Sequence, residues 1–358
     1  MRDRLVADPG FRRRVARWPV GRWIARRQSR KLFDLCAGFV YSQVLAACVD
    51  LDLPGVLLEG PQPLERLAAR LDIAPDRAAS LLEAACALGI AERRGGDRFG
   101  IGLSGAALAG EPGVRAMIAH HAALYRDLAD PVGLLRQAPD TALGRFWAYA
   151  GQAAPAALGE AETADYTRLM AASQPMVAEE IIAAYPLARH RCLLDVAGGD
   201  GRFVAAAAAA VPTLRFLLFD LPPVAGAARR RFEREGIAAR AESAGGDARR
   251  DALPAGADVA TLIRVLHDHS EEDALAILRA VREALPPGGV LLVAEPMAET
   301  RGAERVGAYF AFYLLAMGSG RPRSATALRR MIAQAGFRNV RERRTAQPLL
   351  VRVLTAEV

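Results

Sequence analysis

The feature that most constrains the fold is a change of sequence pattern at residue 191. From there, short apolar runs alternate with amphipathic segments. The apolar runs lie at 192–197, 215–220, 258–266 and 290–295, and the amphipathic segments at 202–211, 224–235 and 271–285. Short apolar strands that alternate with helices predict a parallel sheet covered by helices. We therefore expect an α/β domain, closed by a pair of strands predicted at 337–345 and 348–355.

The first half of the chain predicts a separate, mainly helical domain. The predicted elements are, in order, an apolar helix at 32–53, shorter helices at 64–71 and 76–88, and a hairpin at 91–101. Pro54 and Gly55 are expected to end the first helix, and Asp76 is a candidate N-cap of the third. Helix, turn, helix and hairpin in this order are typical of a winged helix.

These changes of pattern set the expected domain boundaries. We expect a basic arm at 1–31, a winged-helix-like domain at 32–110, connecting helices at 111–190 and the α/β domain at 191–358. The connecting segment contains no motif that fixes a chemistry.

A winged helix raises the hypothesis of DNA binding, in which the second helix reads the bases. Reading helices carry Arg, Lys, Asn or Gln toward the groove. The segment 76–88 holds three charged side chains, Asp76, Arg77 and Glu83, among mainly alanine and leucine. That composition favours packing or dimerisation, so we expect no nucleic-acid partner.

The positive charge of the chain is concentrated in its first 31 residues. The net charge is +7, but residues 1–31 hold eleven basic and two acidic side chains, which gives +9 there and −2 for the rest. The same segment carries Phe11, Trp18, Trp23 and Ile24. Basic residues interleaved with aromatics suit an anionic membrane surface or a nucleic acid. A solvated arm, or one that packs on the body, is the structural alternative.

Composition excludes several kinds of chemistry and bounds the location. Lys31 is the single lysine and stands among arginines, which does not suit a Schiff-base enzyme, and no phosphate-binding Gly-Lys-Ser/Thr loop is present. The four cysteines have no zinc-like spacing and indicate a reducing compartment. No signal peptide is expected, and the longest wholly apolar runs are about ten residues, half of the ~20 that cross a bilayer. We expect a cytoplasmic protein, with the arm as its contact with the inner face of the membrane.

A glycine-rich turn and a following acid predict a nucleoside-bearing cofactor. The strand that contains Asp195 runs into a turn at 197–201, where glycines let a ligand approach the backbone. Asp220 ends the next strand, where an acid can accept both ribose hydroxyls. A dinucleotide needs G-x-G-x-x-G, whereas this loop is A-x-G-x-G. A turn without that phosphate motif fits S-adenosylmethionine.

On these residues the chain resembles the class I O-methyltransferases of the caffeate and hydroxyindole type. The motifs are LLDVAGGDG at 193–201, FDLP at 219–222, GGD at 245–247, RVLHDHSEED at 264–273 and LLVAEP at 291–296. The resemblance covers nearly the whole chain after residue 31. Within the family, ARRQSRKLFDLCAGFVYSQVL at 25–45 together with RVLHDHSEEDAL at 264–275 most resembles the bacterial carotenoid O-methyltransferases of the hydroxyneurosporene/demethylspheroidene type.

The resemblance implies a fold, a cofactor and an assembly. The fold is a Rossmann-like methyltransferase sheet with an N-terminal helical, winged-helix-like dimerisation domain. The cofactor is S-adenosyl-L-methionine and the partner is a second copy. By position in the family, Gly199 and Gly201 line the methionine end of the cofactor, Asp220 binds its ribose, Asp247 lies by the adenine and Arg264 also reaches it.

The resemblance also assigns the proton chemistry. An alcohol loses a proton during methyl transfer, and a base near neutral pKa serves that step. His267 follows the predicted third strand of the α/β part of the chain at its carboxyl edge, and in the family the matching histidine is the base. Glu295 matches the acid that orients it, since a carboxylate on one ring nitrogen fixes the tautomer. His267 and His269 could form a metal pair, but no third ligand has a clear position, so no metal is expected.

Two positions depart from the family pattern. Ala197 stands where the family usually has glycine, and its methyl group is expected to crowd the turn slightly. Plant members place a second glutamate in the loop before the last helix, where this chain has Pro322. The complete plant-type triad is therefore absent, which leaves open whether Glu295 alone suffices or proximity carries most of the catalysis.

The substrate wall is expected on an apolar helix at 309–317. Family position favours substrate contact for Phe310, Tyr313 and Met317, although aromatics and methionine at this spacing also suit a core. Tyr166 is a further candidate. A pocket this apolar suits a lipophilic small molecule.

The sequence thus predicts an O-methyltransferase that acts on the tertiary hydroxyl of an acyclic carotenoid. The alternative within the class is a methyltransferase of a phenolic polyketide or a tetrapyrrole. A winged-helix regulator that uses the α/β domain as a ligand sensor is the alternative from another class. The composition of 76–88 and the presence of both His267 and Glu295 favour an enzyme.

Overall fold

A computed structural model describes residues 2–136, 140–147, 149 and 155–358. The chain forms two compact units, Met1–Glu111 and Pro112–Val358. Each unit has a hydrophobic core of its own.

The first unit is mainly helical. Its elements are α1 (Arg2–Ala7), α2 (Pro9–Val15), α3 (Pro19–Asp50), α4 (Leu53–Leu58), β1 (Gln62–Pro63), α5 (Leu64–Leu71), α6 (Pro75–Ala87), β2 (Ala91–Arg94), β3 (Arg98–Ile101) and α7 (Leu103–Gly110). The strands form a small antiparallel sheet in the order β1-β3-β2. Leu67 of α5, Leu82 of α6 and Phe99 of β3 are buried together. The predicted order of two helices and a hairpin is therefore confirmed.

Two local predictions in this unit were wrong. Pro54 and Gly55 do not end the long helix; α3 ends at Asp50, and Pro54 lies in the first turn of α4. Proline is tolerated there because the first amide groups of a helix have no partner within it. Asp76 is not the N-cap of α6, since Ala74 takes that place. Asp76 instead lies in the first turn, where a negative charge is favourable.

The basic arm is folded into helices. Gly21 of α3 lies so close to α2 that a Cβ atom there would come within 1.9 Å of the carbonyl oxygen of Val15. Trp18, Val20 and Trp23 are 73%, 71% and 61% exposed. The arm therefore presents aromatic and aliphatic side chains between its arginines.

Helix α3 differs from the expectation that no segment could span a membrane. Of the helices in the described part of the chain, it alone is long and apolar enough to do so by length and composition. Polar residues such as Asp34 and Gln43 keep its uninterrupted apolar runs short. The same length and composition also suit a helix whose apolar side is covered by another protein surface.

The second unit alternates helices and strands around one large sheet. Its elements are α8 (Pro112–Asp127), α9 (Pro131–Arg136), α10 (Ala142–Phe146), α11 (Glu160–Ala184), β4 (Cys192–Val196), α12 (Arg202–Ala210), β5 (Arg215–Asp220), α13 (Pro222–Arg234), β6 (Ala241–Gly245), β7 (Val259–Ile263), α14 (Glu271–Ala284), β8 (Val290–Glu295), α15 (Glu304–Met317), α16 (Ala325–Gln334), β9 (Arg338–Arg343) and β10 (Arg352–Glu357). The strands predicted at 215–220 and 290–295 have the predicted bounds, and the closing strand pair is confirmed.

The sheet has seven strands in the order β6-β5-β4-β7-β8-β10-β9. Strands β6, β5, β4, β7 and β8 are parallel, and β10 is antiparallel to both β8 and β9. Every residue of β4 and β7 is buried, which is why these strands read as continuous apolar runs. Sequence reasoning missed β6, because Ala241–Gly245 is an edge strand without β-branched residues.

The order of the strands reverses between β4 and β7. From β4 the chain moves outward to β5 and β6, and it then crosses back to β7 and β8 on the other side. At such a reversal the loops after the two central strands diverge and leave a crevice at the carboxyl edge. The fold therefore places the turns after β4 and β7 around one crevice.

The turn after β4 contains a strained residue. Ala197 adopts a left-handed backbone conformation with φ of +53°, and its amide donates to the carbonyl of Phe219 over 2.7 Å. A left-handed conformation costs an L-residue such as alanine about 1–2 kcal/mol. Glycine avoids this cost, but it loses more conformational entropy on folding, so part of its advantage over alanine is offset.

We expect Ala197→Gly to raise the free energy of unfolding by about 0.5–1 kcal/mol, because glycine adopts this φ without strain. Thermal unfolding measures the change as a higher Tm. Ala206→Gly, in the middle of α12, is the matched control and should lower stability by about 1 kcal/mol. A lower Tm for Ala197→Gly would contradict the strain argument.

Candidate active site

A cavity opens at the carboxyl ends of β4, β5 and β7, where the strand order reverses. Helix α11 contributes the opposite side of the lining. The lining includes Trp147, Tyr149, Tyr166, Met170, Gln174, Asp195, Gly198, Gly199, Asp220, Asp247, Arg249, Arg264, Asp268 and His269. Aromatic side chains and five aspartates, Asp200 among them, thus share one cavity.

Asp195 of β4 is a buried carboxylate with an unused acceptor. Its Oδ1 accepts a hydrogen bond from the hydroxyl of Thr261 over 2.7 Å. Its Oδ2 is buried and has no hydrogen-bond partner among the described residues. Burial raises the pKa of Asp195 to about 7. A buried oxygen without a partner is costly, so a donor or a cation from a ligand would stabilise it.

Asp220 ends β5 and faces the glycine-rich turn. Its two oxygens accept hydrogen bonds from the amide groups of Gly199 and Leu221, each over 2.7 Å. Burial raises the pKa of Asp220 to about 6, and the two amide donors oppose that shift. Asp220 therefore lies beside the glycine-rich turn, as the sequence predicts.

The two predicted glycines have different surroundings. Gly199 lines the cavity with φ of +62° and open space where a Cβ atom would lie. Gly201 is absent from the cavity lining; a Cβ atom there would come within 2.5 Å of the ring of Phe232. The structure thus brings Gly199 to the cavity, whereas close packing against α13 explains the glycine at 201.

Asp247 and Arg264 lie at two other sides of the cavity. Arg249 donates to both oxygens of Asp247, with nitrogen–oxygen distances of 2.9 and 2.8 Å. Burial alone would favour protonation, but these bonds lower the pKa of Asp247. Arg264 has a left-handed φ of +56° and donates to the hydroxyl of Ser173 on α11 over 2.7 Å.

These residues fit S-adenosylmethionine. The cofactor carries positive charge on its sulfonium and ammonium groups, and the unpaired oxygen of Asp195 is an acceptor suited to a cationic donor. Asp220 has lone pairs left for hydroxyl groups, and the open space at Gly199 admits a ligand close to the backbone. Nothing in this set offers the phosphate cradle that a dinucleotide requires.

A second cluster lies where β7 and β8 end. Glu295, the last residue of β8, is 2% exposed. Its Oε1 accepts hydrogen bonds from the amide groups of Val265 and Leu266 over 3.0 and 2.8 Å, and its Oε2 receives Nδ1 of His267. The predicted pair of His267 and Glu295 is therefore in direct contact.

The other nitrogen of His267 also lies near a carboxylate. Its Nε2 lies 3.1 Å from Oδ1 of Asp268. Burial by itself lowers the pKa of His267, but the carboxylates of Asp268 and Glu295 outweigh it and raise that pKa to about 9. The two carboxylates therefore favour the protonated form of the ring. Neither His267 nor Glu295 lines the cavity, whereas Asp268 does.

The turn that carries His267 is fixed by the loop before α16. Arg323 is 4% exposed and donates to the carbonyls of Leu266 and His269, the latter over 2.9 Å. This loop has Pro322 where plant members have an acid. The second carboxylate beside His267 comes instead from Asp268, next to it in sequence.

One of the four predicted substrate residues lines the cavity. Tyr166 does so, whereas Phe310, Tyr313 and Met317 do not. The Tyr313 hydroxyl accepts from the indole of Trp147 over 2.8 Å, and Met317 is 2% exposed in the core behind it. Phe310 has its ring centroid 6.2 Å from that of His267. The apolar helix α15 thus supports the aromatic wall from behind.

Sequence reasoning did not select several residues that line the cavity. Trp147, Tyr149 and Gln174 come from the connecting segment, which has no motif to mark them. Asp268 also lines the cavity, and its place directly after His267 in the sequence was a signal for a second acid beside the ring. In the described part of the chain, no three His, Cys, Asp or Glu side chains are grouped to hold a metal ion.

Two family models match this chain. The model of the O-methyltransferase domain matches residues 125–338, and the model of the O-methyltransferase dimerisation domain matches residues 33–103. Together they cover the catalytic cavity and the winged-helix-like segment. The expected dimerisation domain is therefore confirmed.

Individual relatives agree over nearly the full length. Demethylspheroidene O-methyltransferase of Cereibacter sphaeroides is 43% identical over 99% of this chain and 93% of that protein. The protein of the same name from Rhodobacter capsulatus is 40% identical over 95% of this chain and 85% of that protein. The crystal structure of human N-acetylserotonin methyltransferase in complex with S-adenosylmethionine has a TM-score of 0.77 at 22% identity, over 92% of this chain and 97% of that chain. The last likeness confirms the fold.

We expect the affinity for S-adenosylmethionine to rise with pH. Burial gives Asp195 and Asp220 pKa values of about 7 and 6, and a cationic ligand favours their charged forms. Both groups release protons on binding, so Kd should fall by at least about tenfold between pH 5.5 and pH 8. Calorimetry in buffers of different ionisation enthalpy measures both Kd and the released protons. An affinity independent of pH, with no proton release, would contradict this assignment.

Proposed function

The chain belongs to the S-adenosylmethionine-dependent O-methyltransferases with an N-terminal dimerisation domain, and we propose that it methylates the tertiary hydroxyl of an acyclic carotenoid. The observation that most directly supports this substrate is the 43% identity to demethylspheroidene O-methyltransferase over 99% of this chain. The aromatic lining by Trp147, Tyr149 and Tyr166 supports it, because such a wall suits a flat, lipophilic molecule.

The cofactor-binding roles are part of this proposal. When bound, the cofactor supplies an activated methyl group on a positively charged sulfur. Asp220 accepts the ribose hydroxyls, Gly199 gives close access to the methionine end, and Asp247 and Arg264 border the remainder of the cofactor. The place of Gly201 behind the cavity supports a packing role for that residue instead.

The protein's own contribution to the chemistry is alignment and proton handling. Methyl transfer is an in-line displacement, so the site has to hold the substrate oxygen against the methyl group. We assign the removal of the hydroxyl proton to His267, whose ring Glu295 fixes through Nδ1. The buried contacts of Glu295 with Val265 and Leu266 keep that ring in place.

A second copy of the chain is the proposed cover for the apolar part of α3. The dimerisation match begins at residue 33, within this helix. Leu35 and Phe39 are 76% and 71% exposed in the single chain. A homodimer in the cytoplasm would bury such side chains, which supports packing against protein over a membrane span for this part of α3.

The basic arm is the proposed contact with the inner face of the membrane. It precedes the dimerisation match, carries a net charge of +9 and exposes Trp18, Val20 and Trp23. Exposed aromatics between arginines suit the interface of a bilayer with anionic lipids. A carotenoid resides in that bilayer, so an arm at its surface would bring the enzyme to its substrate.

We expect single-turnover methyl transfer from labelled S-adenosylmethionine to a hydroxylated acyclic carotenoid in detergent. His267→Ala should lower the rate constant by about 10²–10⁴, because it removes the proposed base that Glu295 holds in place. His190→Ala, at the opposite edge of the sheet beside Asp258, is the matched control and should retain the rate. No product from the unchanged enzyme, with a phenolic polyketide or tetrapyrrole methylated instead, would overturn the proposed substrate.

We expect the protein to bind vesicles that contain anionic lipid and to be released by salt. Neutralising four arm arginines to glutamine should weaken binding by at least about a hundredfold, since each contributes on the order of 1 kcal/mol near the surface. The four are Arg22, Arg26, Arg27 and Arg30. The control is the same change at four exposed arginines of the second unit, namely Arg229, Arg234, Arg250 and Arg279. Equal loss in both variants, or equal binding to neutral vesicles, would contradict a role of the arm.

A further inference from the structure

We propose that His120 is a positioning residue of the aromatic wall, because it accepts a hydrogen bond from Tyr313, which in turn holds the indole of Trp147. The aromatic wall consists of Trp147, Tyr149 and Tyr166. His120 lies on α8 and does not line the cavity itself. The inference rests on the proposed function in one respect, namely that the cavity takes a lipophilic substrate.

Two similar histidine–tyrosine contacts join α8 to α15. His120 and His121 are neighbours in α8, and Tyr309 and Tyr313 are one helical turn apart in α15. Nε2 of His120 lies 2.9 Å from the hydroxyl of Tyr313. Nε2 of His121 lies 2.7 Å from the hydroxyl of Tyr309. The two contacts therefore match in their helices and in their chemistry.

The two tyrosines differ in what they contact next. The hydroxyl of Tyr313 accepts a hydrogen bond from the indole of Trp147 over 2.8 Å, and Trp147 lines the cavity. For the hydroxyl of Tyr309, the hydrogen-bond partner among the described residues is His121. A chain of hydrogen bonds from α8 to the cavity thus runs through His120.

The chemistry of the groups sets the direction of these hydrogen bonds. An indole N–H can only donate, so the oxygen of Tyr313 accepts it. The proton of the same hydroxyl then needs an acceptor, and Nε2 of His120 lies at the right distance. His120 can accept only as a neutral ring that carries its proton on Nδ1. Burial, followed by the neighbouring His121, lowers the pKa of His120 to about 4, which favours the neutral ring.

The backbone that leads to Trp147 is fixed by other contacts. Trp147 directly follows α10, and Asp127 accepts hydrogen bonds from two amide groups in the first turn of that helix over 2.7 and 2.8 Å. Thr141, the N-cap of α10, donates its hydroxyl to the carbonyl of Ala316 in α15 over 2.5 Å. The bond to Tyr313 therefore acts on the rotation of the indole, since the backbone before it is already held.

The rest of the aromatic wall packs on this indole. The ring centroid of Trp147 lies 5.7 Å from that of Tyr166 and 5.9 Å from that of Tyr149. Trp147 and Tyr313 are 3% and 5% exposed, so water does not replace a lost partner easily. Without His120 the proton of the Tyr313 hydroxyl has no acceptor, and its bond to the indole weakens as the hydroxyl moves. The shape of the cavity therefore depends on His120.

The first test compares matched substitutions of the two histidines in methyl transfer to the hydroxylated carotenoid. We expect His120→Leu to raise KM for the carotenoid about three- to tenfold, as expected for one buried hydrogen bond, with kcat within about threefold. His121→Leu removes the equivalent contact between the same helices and should leave KM within about twofold. An unchanged KM in His120→Leu, or an equal rise in both variants, would overturn the proposal.

A conservative variant and a double variant test the chain of hydrogen bonds itself. His120→Gln should keep KM within about twofold, because its side-chain carbonyl can accept the hydroxyl of Tyr313. Tyr313→Phe should raise KM as much as His120→Leu, and the two changes combined should raise it no further, since both break one chain. A KM for His120→Gln as high as that for His120→Leu, or additive effects in the double variant, would contradict the proposal.

A measurement without turnover separates this inference from the proposed substrate. The chain has three tryptophans, of which Trp18 and Trp23 are 73% and 61% exposed, so Trp147 has the slowly exchanging indole N–H. Nitrogen-15 NMR of the indole groups should show this exchange at least about threefold faster in His120→Leu and unchanged in His121→Leu. Unchanged exchange in His120→Leu, or equal acceleration in both variants, would overturn the proposal. Failure to methylate a carotenoid would leave this comparison as it is and would overturn only the substrate.

Discussion

The contacts of one buried carboxylate organise the site. Glu295 joins the ends of two neighbouring parallel strands, because one of its oxygens holds the amide groups that follow β7 while the other holds His267. An unpaired charge at this depth would cost several kcal/mol, so the carboxylate requires these donors, and the turn requires the carboxylate. The position of Asp268, whose carboxylate accepts the hydroxyl of Tyr149 at the cavity, depends on that turn.

The reversal of strand order supplies the other half of the site. It separates the turns after β4 and β7 and leaves a crevice in which the backbone of Gly199 is open. Burial of Asp195 and Asp220 beside that crevice raises their pKa values, because it disfavours the charged carboxylates. A bound cation would stabilise these charged forms. The acidic side chains that suit a positively charged cofactor and the aromatic wall therefore meet in one crevice, which the order of the strands creates.

Much of this was predictable from the sequence, and the limits have physical causes. Period and composition located β5 and β8, and motif position located the contact between His267 and Glu295. Side-chain direction depends on tertiary packing, so the inward turn of Tyr313 toward Trp147 could not be predicted. The glycine at 201 reflects contact with Phe232, a residue 31 positions later. The family pattern places a second acid in a later loop, where this chain has Pro322, and the carboxylate that lies 3.1 Å from the ring of His267 belongs to the neighbouring Asp268.

A crystal structure of the protein with S-adenosylhomocysteine and the hydroxylated carotenoid is the most direct test of the proposed substrate and of its place in the cavity. We predict that the tertiary hydroxyl lies beside the cluster of His267, Asp268 and Glu295, with His267 still in contact with Glu295. The polyene should extend along the wall of Trp147 and Tyr166. A carotenoid bound outside this cavity, or a hydroxyl that lies away from this cluster, would contradict the account.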